Sequence, residues 1–151
     1  MVAVGGLLAF TLSAGSPPAH AAFRAASAGE DAVLELRGRI VCLGEGATVE
    51  ACAGEPRRFA LETSGGGRYA FRPGDLLAAM FGDDQVRERE LIVRVRKAPD
   101  GELETIKVHS VRNGRLFDLD YFCDVCNIVA YAPGPCACCG RPMVLRETPL
   151  R

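Results

Sequence analysis

"AVLELRGRIVCL", residues 32–43, alternates with period two. Leu34, Leu36, Ile40 and Cys42 fall on one face, and Glu35, Arg37 and Arg39 fall on the other. Successive side chains of a strand point to opposite faces of a sheet, so this pattern predicts a half-buried β-strand. The same period returns downstream. "RFALET" (58–63) and "RYAFR" (68–72) place Phe59/Leu61 and Tyr69/Phe71 as inward pairs. Gly65-Gly66-Gly67 between them is a hairpin signal. "ELIVRVRK" (90–97) alternates through Leu91, Val93 and Val95, and "LETIKVHSV" (103–111) follows the turn "APDG". Asn113-Gly114 then marks a further hairpin, leading into "RLFDLDYF" (115–122).

One segment changes period. In "PGDLLAAMFGDDQ" (73–85), Leu76, Leu77, Met80 and Phe81 fit one helical face, begun near Pro73 and stopped at Gly82. Five strands, a short helix between the third and fourth, and a sixth strand predict a mainly β fold. The expected architecture is a small OB-like five-stranded barrel over 32–120, because closure removes the exposed edges a short chain must otherwise protect. A small open sandwich is the alternative.

The 151 residues suffice for one ordinary domain and an appendage; 48% are hydrophobic and 25% charged, the composition of a globular chain. A net charge of −1 offers no general attraction to nucleic acid or to an anionic membrane. The first 21 residues differ in kind. No charged side chain precedes Arg24; an apolar run from Val2 to Ala14 meets Gly15, Ser16, Pro17 and Pro18, then Ala19-His20-Ala21. This is the plan of a cleaved secretory signal, and the run falls short of the roughly 20 residues that span a bilayer. The expectation is an exported protein, periplasmic or secreted, with no stable membrane insertion after cleavage, whose residues 22–31 form a loose lead-in.

Five of the seven cysteines lie in "YFCDVCNIVAYAPGPCACCGRPM" (121–143). Cys123-x2-Cys126 and Cys136-x2-Cys139 each form a potential knuckle whose two sulfurs converge on one ion. Two facing knuckles give the tetrahedral S4 geometry that Zn2+ favours. Such a turn wants a residue tolerant of positive φ after its second cysteine; Gly140 and Asn127 stand there. Pro133-Gly134-Pro135 turns the chain between knuckles, and Met143, Val144 and Leu145 suit a return strand. A zinc-ribbon-like segment over 121–151 is therefore expected. A 30-residue ribbon has little apolar core, so roughly 10 kcal/mol of apparent metal-binding free energy would decide whether it folds. Two disulfides, a rubredoxin-like iron electron carrier and a redox-active Cys-x-x-Cys remain the alternatives for the same sulfurs. Arg141 and Arg146 are candidates to offset the site's negative charge.

The stretch resembles the zinc-ribbon and rubredoxin-like knuckle family. More narrowly, it looks like the short heavy-metal-binding domain found with bacterial metal-efflux proteins. Tyr121, Cys123, Pro133, Gly134, Cys136, Cys139 and Gly140 match that pattern. Cys126 stands where the family usually has His, the spacer is shorter, and Cys138 is an extra thiol. The resemblance covers about 30 residues and implies a metal ion as partner, with handling of Cu, Hg or Zn as one possible role. The exchange of His for Cys points instead toward a closed structural site.

Cys42 and Cys52 are the natural disulfide of an exported chain, stabilising by roughly 3 kcal/mol in the chain-entropy model. Cys138 is then left over. His109 alternates with Ile106 and Val108 and is expected on the surface beside Lys107; Asp118 and Asp120 share a solvated strand face. No nucleophile, base and orienter can be assembled, so a non-catalytic, metal-binding or scaffold role is expected.

Overall fold

The structure, a computed structural model, describes residues 32–53 and 58–151. The signal-like segment 1–21 and the lead-in 22–31 lie outside these residues. The strands are β1 (Val33–Leu43), β2 (Val49–Glu50), β3 (Arg58–Thr63), β4 (Arg68–Ala70), β5 (Glu90–Lys97), β6 (Leu103–Arg112), β7 (Arg115–Cys123), β8 (Ile128–Ala130) and β9 (Val144–Pro149). All nine join one antiparallel sheet in the order β4-β3-β1-β5-β6-β7-β8, with β2 added to β1 and β9 to β7. The protein is mainly β, and its ladder does not close into a barrel. The β4 end of the sheet touches β6 at a single parallel bridge, Phe71 to Leu103, beside which the Arg72 N–H donates to the Leu103 carbonyl at 2.9 Å.

β1 organises the sheet by changing partners along its length. Its first half pairs with β5 through Gly38↔Leu91, and its second half pairs with β3 from Gly38↔Thr63 onward. Gly38, where both ladders meet, has no room for a side chain: a Cβ there would lie 2.2 Å from the Glu62 carbonyl oxygen. The alternation read in 32–43 holds from Leu36 onward, with Ile40 and Cys42 buried and Leu36 packed on the core, whereas Leu34, expected inward, is 36% exposed. At the β6–β7 hairpin, Asn113 (φ 52°) and Gly114 (φ 73°) occupy consecutive left-handed positions, as a two-residue I′ turn requires.

The predicted helix is replaced by two shorter pieces. A 3-10 turn covers Ala78–Gly82, and one turn of α-helix, α1, covers Asp84–Arg87. Asp75 ties the start of the segment down. Its Oδ1 accepts the N–H groups of Leu77 (3.0 Å) and Ala78 (3.3 Å), and its Oδ2 accepts that of Thr105 (2.6 Å). That carboxylate caps the otherwise unpartnered N–H groups at the start of the turn, and it pins the segment to β6. Leu76 points outward, 84% exposed, while Met80 and Phe81 are buried as expected. Asp83 caps α1, its Oδ1 accepting the Gln85 N–H at 2.9 Å.

Leu61, Phe71, Met80, Phe81, Val86, Leu91, Val93, Val95, Val108, Leu119 and Tyr121 form one core between the sheet and this segment. Phe81 sits at its middle, 4.7 Å from the Phe71 ring and edge-on to Phe59 at 6.1 Å. Tyr69, expected inward, is 43% exposed on β4, a three-residue strand at the end of the sheet order. Among the described residues, no helix is long and apolar enough to cross a membrane.

Candidate metal centre

The first cysteine is delivered by the core itself. Along β7, Phe117, Leu119, Tyr121 and Cys123 alternate inward, and all four are buried. β7 runs unbroken from the sheet into the knuckle, with β9 on one edge (Leu119↔Glu147, Tyr121↔Leu145) and β8 on the other (Cys123↔Ile128). Past Cys123 the chain turns on Asn127, whose φ is 55°, and returns as β8. The second knuckle is a tight loop. The Cys136 N–H donates to the Arg141 carbonyl at 2.7 Å, the Gly140 N–H to the Cys136 carbonyl at 2.8 Å, and Gly140 adopts φ 71°. Both left-handed positions sit where the sequence placed them. A bridge between Pro135 and Pro142 closes the base of the loop.

The two loops bring Cys123, Cys126, Cys136 and Cys139 together, their four Sγ atoms all within 4.8 Å of one another. Cys123 Sγ and Cys139 Sγ are 3.6 Å apart. Four sulfurs each about 2.3 Å from a central ion would be separated by about 3.8 Å along every edge of the tetrahedron. A disulfide would need about 2.05 Å. The spacing is that of a thiolate cage, and the set fits a zinc-ribbon-like knuckle. Fe–S distances are similar, so the cage does not choose between zinc and iron.

The cage is prepared for a cation. The backbone N–H groups of Cys139 and then Cys138 point at the Cys136 sulfur; with the Cys123 and Cys139 thiols they bring Cys136 down to about 7 against the cost of burial. The Cys136 thiol therefore ionises more readily than an ordinary cysteine. Cys126 responds in the opposite direction: its contacts with the Cys139 and Cys138 thiols, followed by burial, push it above the ordinary thiol range. Accumulating negative charge on clustered sulfurs is costly, and a bound cation removes that cost.

No protein-family model, no curated protein and no solved structure matches the chain.

The remaining sequence candidates sort clearly. Cys138 is free and exposed and lies outside the group of four. Cys42 and Cys52 form a disulfide, Cα–Cα 5.2 Å, tying the end of β1 to the loop that follows it. Arg146 does not face the sulfurs. It makes a bidentate pair with Asp120 (2.9 and 3.0 Å) and stacks on Phe122 at 4.3 Å. Arg141 contributes its backbone carbonyl. His109 does share a face with Lys107, but it is only 13% exposed. Its Nδ1 lies 3.0 Å from Asp118 Oδ1 without hydrogen-bond angles, and Lys107 Nζ reaches the same oxygen at 3.0 Å. None of these joins the cluster.

Two contacts that anchor the ribbon have no clear announcement in the sequence. The Tyr121 hydroxyl donates to Asp83 Oδ2 at 2.9 Å, joining β7 to the cap of α1; burial, then this bond, push the phenol above its ordinary range. Glu147, inward on β9, accepts the Ser110 hydroxyl (2.6 Å) and Arg89 Nε (3.1 Å), with Arg112 at 3.4 Å. Burial works against its charge, but the Ser110 and Arg89 bonds outweigh it and hold Glu147 below the usual carboxylate range. Period-two alternation of Leu145 and Glu147 was the available signal for the second contact. Tyr121 to Asp83 spans 38 positions and left none.

Proposed function

We propose that this is an exported, non-catalytic metal-binding protein in which Cys123, Cys126, Cys136 and Cys139 hold a structural Zn2+ beneath a partly open OB-like barrel that serves as binding scaffold. The carrying observation is the convergence of four sulfurs from two knuckles, each ending on a left-handed Asn or Gly. The four thiolates would hold the ion; bound there, it supplies a cross-link between β7, β8 and the 136–140 loop. The Cys42–Cys52 disulfide supports an oxidising compartment, as does the signal-like segment 1–21. The strand order, with β1 shared between two ladders and β4 bridged to β6, supports the barrel reading.

A second reading has an observation of its own. Cys139 is exposed, as is the neighbouring Cys138, and an accessible sulfur edge suits a heavy-metal-handling module like the domain the stretch resembles. Titration with Co2+ tests the common premise. Four-thiolate tetrahedral coordination gives intense sulfur-to-cobalt absorption that saturates at one equivalent and is displaced by Zn2+. Weak absorption characteristic of oxygen or nitrogen ligands would exclude the S4 centre.

A further inference from the structure

Exposure and contact single out one pair among the four clustered sulfurs. Cys139 is the exposed member of the group, and Cys123 is buried at the end of β7. Their Sγ atoms are 3.6 Å apart, although the residues belong to different knuckles and are 16 positions apart in the chain. An oxidant arriving from solvent meets Cys139 first, with the Cys123 sulfur directly behind it. The same-loop partner of Cys139 is less free. At the base of the second loop the Cys136 N–H is committed to the Arg141 carbonyl (2.7 Å) and the Cys136 carbonyl to the Gly140 N–H (2.8 Å). Joining Cys136 to Cys139 would pull on a turn those bonds already close. Joining Cys123 to Cys139 leaves them intact, and the two sulfurs need approach by only about 1.5 Å to reach a disulfide length of about 2.05 Å.

We propose that Cys139 and Cys123 form a peroxide-sensitive switch, in which a disulfide between the two knuckles replaces the bound ion. The inference rests on the reading of the four cysteines as a metal centre. The Cys139 thiolate attacks one oxygen of hydrogen peroxide. The O–O bond breaks, a sulfenic acid forms on Cys139, and the departing hydroxide takes a proton and leaves as water. The Cys123 thiolate then attacks the Cys139 sulfur. The S–S bond forms, the S–OH bond breaks, and a second hydroxide leaves as water. The two thiolates lose two electrons and the peroxide gains them. Two of the four ligands are consumed, so the cation is released. The new bond still ties β7 to the 136–140 loop, and the oxidised ribbon keeps a cross-link. A thiol reductant restores both thiols and with them the site.

The test treats zinc-loaded protein with a small molar excess of hydrogen peroxide. Release of about one equivalent of Zn2+ per chain is expected, read with a chromogenic chelator. It should run in step with one new disulfide, mapped by differential alkylation and mass spectrometry to Cys123–Cys139. Reduction followed by added Zn2+ should regenerate the loaded form. Cys138→Ser should give the same bond at the wild-type rate. A new disulfide within either Cys-x-x-Cys pair, or through Cys138, overturns the pairing. Retention of Zn2+, or Cys139 driven to sulfinic acid with Cys123 still reduced, overturns the switch. All of these results leave the metal centre standing, whereas wild-type protein that binds no Zn2+ overturns the centre and the switch together.

Discussion

The sheet core and the cysteine ribbon hold themselves together in different ways. In the core, Leu61, Phe81, Val86, Leu91, Val93 and Val95 are completely buried, and removing that apolar surface from water at about 25 cal/mol per Å2 supplies the stability. Beyond Cys123 the only buried residue is Cys136. Val125, Val129 and Val144 of the ribbon are more than 40% exposed, the last 70%. One fully buried sulfur, with Met143 and Leu145 partly buried against the core, is little apolar burial to set against the conformational entropy of ordering some 28 residues, at about 1 kcal/mol or more per residue. The contrast teaches that one continuous strand, β7, can begin in a region stabilised by packing and end in one with little packing, where the four converging sulfurs offer a cross-link.

The sharpest way to break this contrast is to remove the cross-link. Cys136→Ser is expected to abolish metal binding, withdrawing on the order of 10 kcal/mol of apparent binding free energy from the ribbon. Amide exchange should become fast across 124–143 while β1, β5 and β6 stay protected. Equal protection of the ribbon in variant and wild type would contradict the account. The converse change acts on the core: Phe81→Ala should cost about 3–5 kcal/mol in denaturant unfolding, whether or not metal is present. A cost that vanishes on chelation would show that core and ribbon are not distinct.

Much of this division is legible in sequence because each half announces itself locally. Alternation in 90–97, and in 32–43 from Leu36 onward, reports burial directly, whereas a bulge shifts the phase within 103–111 and buries Thr105 and Ser110; Cys-x-x-Cys spacing with Asn127 and Gly140 reports turn geometry. The failures occur where a distant group overrides local preference. The apolar period of 76–81 yields a 3-10 turn and a separate α1, with Asp75 bonded both to its own segment and to Thr105 on β6. Arg146 is drawn to Asp120 and Phe122 rather than to the sulfurs. The Tyr121–Asp83 bond depends on how α1 docks.

Smaller perturbations sharpen the picture. Replacing Cys42 and Cys52 together by Ala should lower sheet stability by roughly 3 kcal/mol through the unfolded state and leave metal stoichiometry unchanged; altered stoichiometry would mean that the two cysteine groups communicate. Tyr121→Phe leaves Asp83 without its donor at the seam between regions and should cost about 1–2 kcal/mol, read from the unfolding midpoint. A shift indistinguishable from zero would demote that contact.

Glu147 gives a pH signature. Its carboxylate lies below its ordinary range in the folded protein, so the unfolded chain binds the proton more readily. The stability it confers is present above the unfolded value of about 4.3 and is lost as pH falls through the folded value. Glu147→Gln should flatten the acid limb of the stability curve by up to one proton; an unchanged slope would place the acid sensitivity elsewhere.

The central claim is that the ribbon is held by an ion on four thiolates. Elemental analysis of protein purified without added metal, paired with a count of free thiols after unfolding in chelator, tests it most directly. The account predicts about one zinc per chain and five reactive thiols, those of Cys123, Cys126, Cys136, Cys138 and Cys139, with Cys42 and Cys52 still joined. No metal, together with cluster thiols already consumed in disulfides, would contradict it.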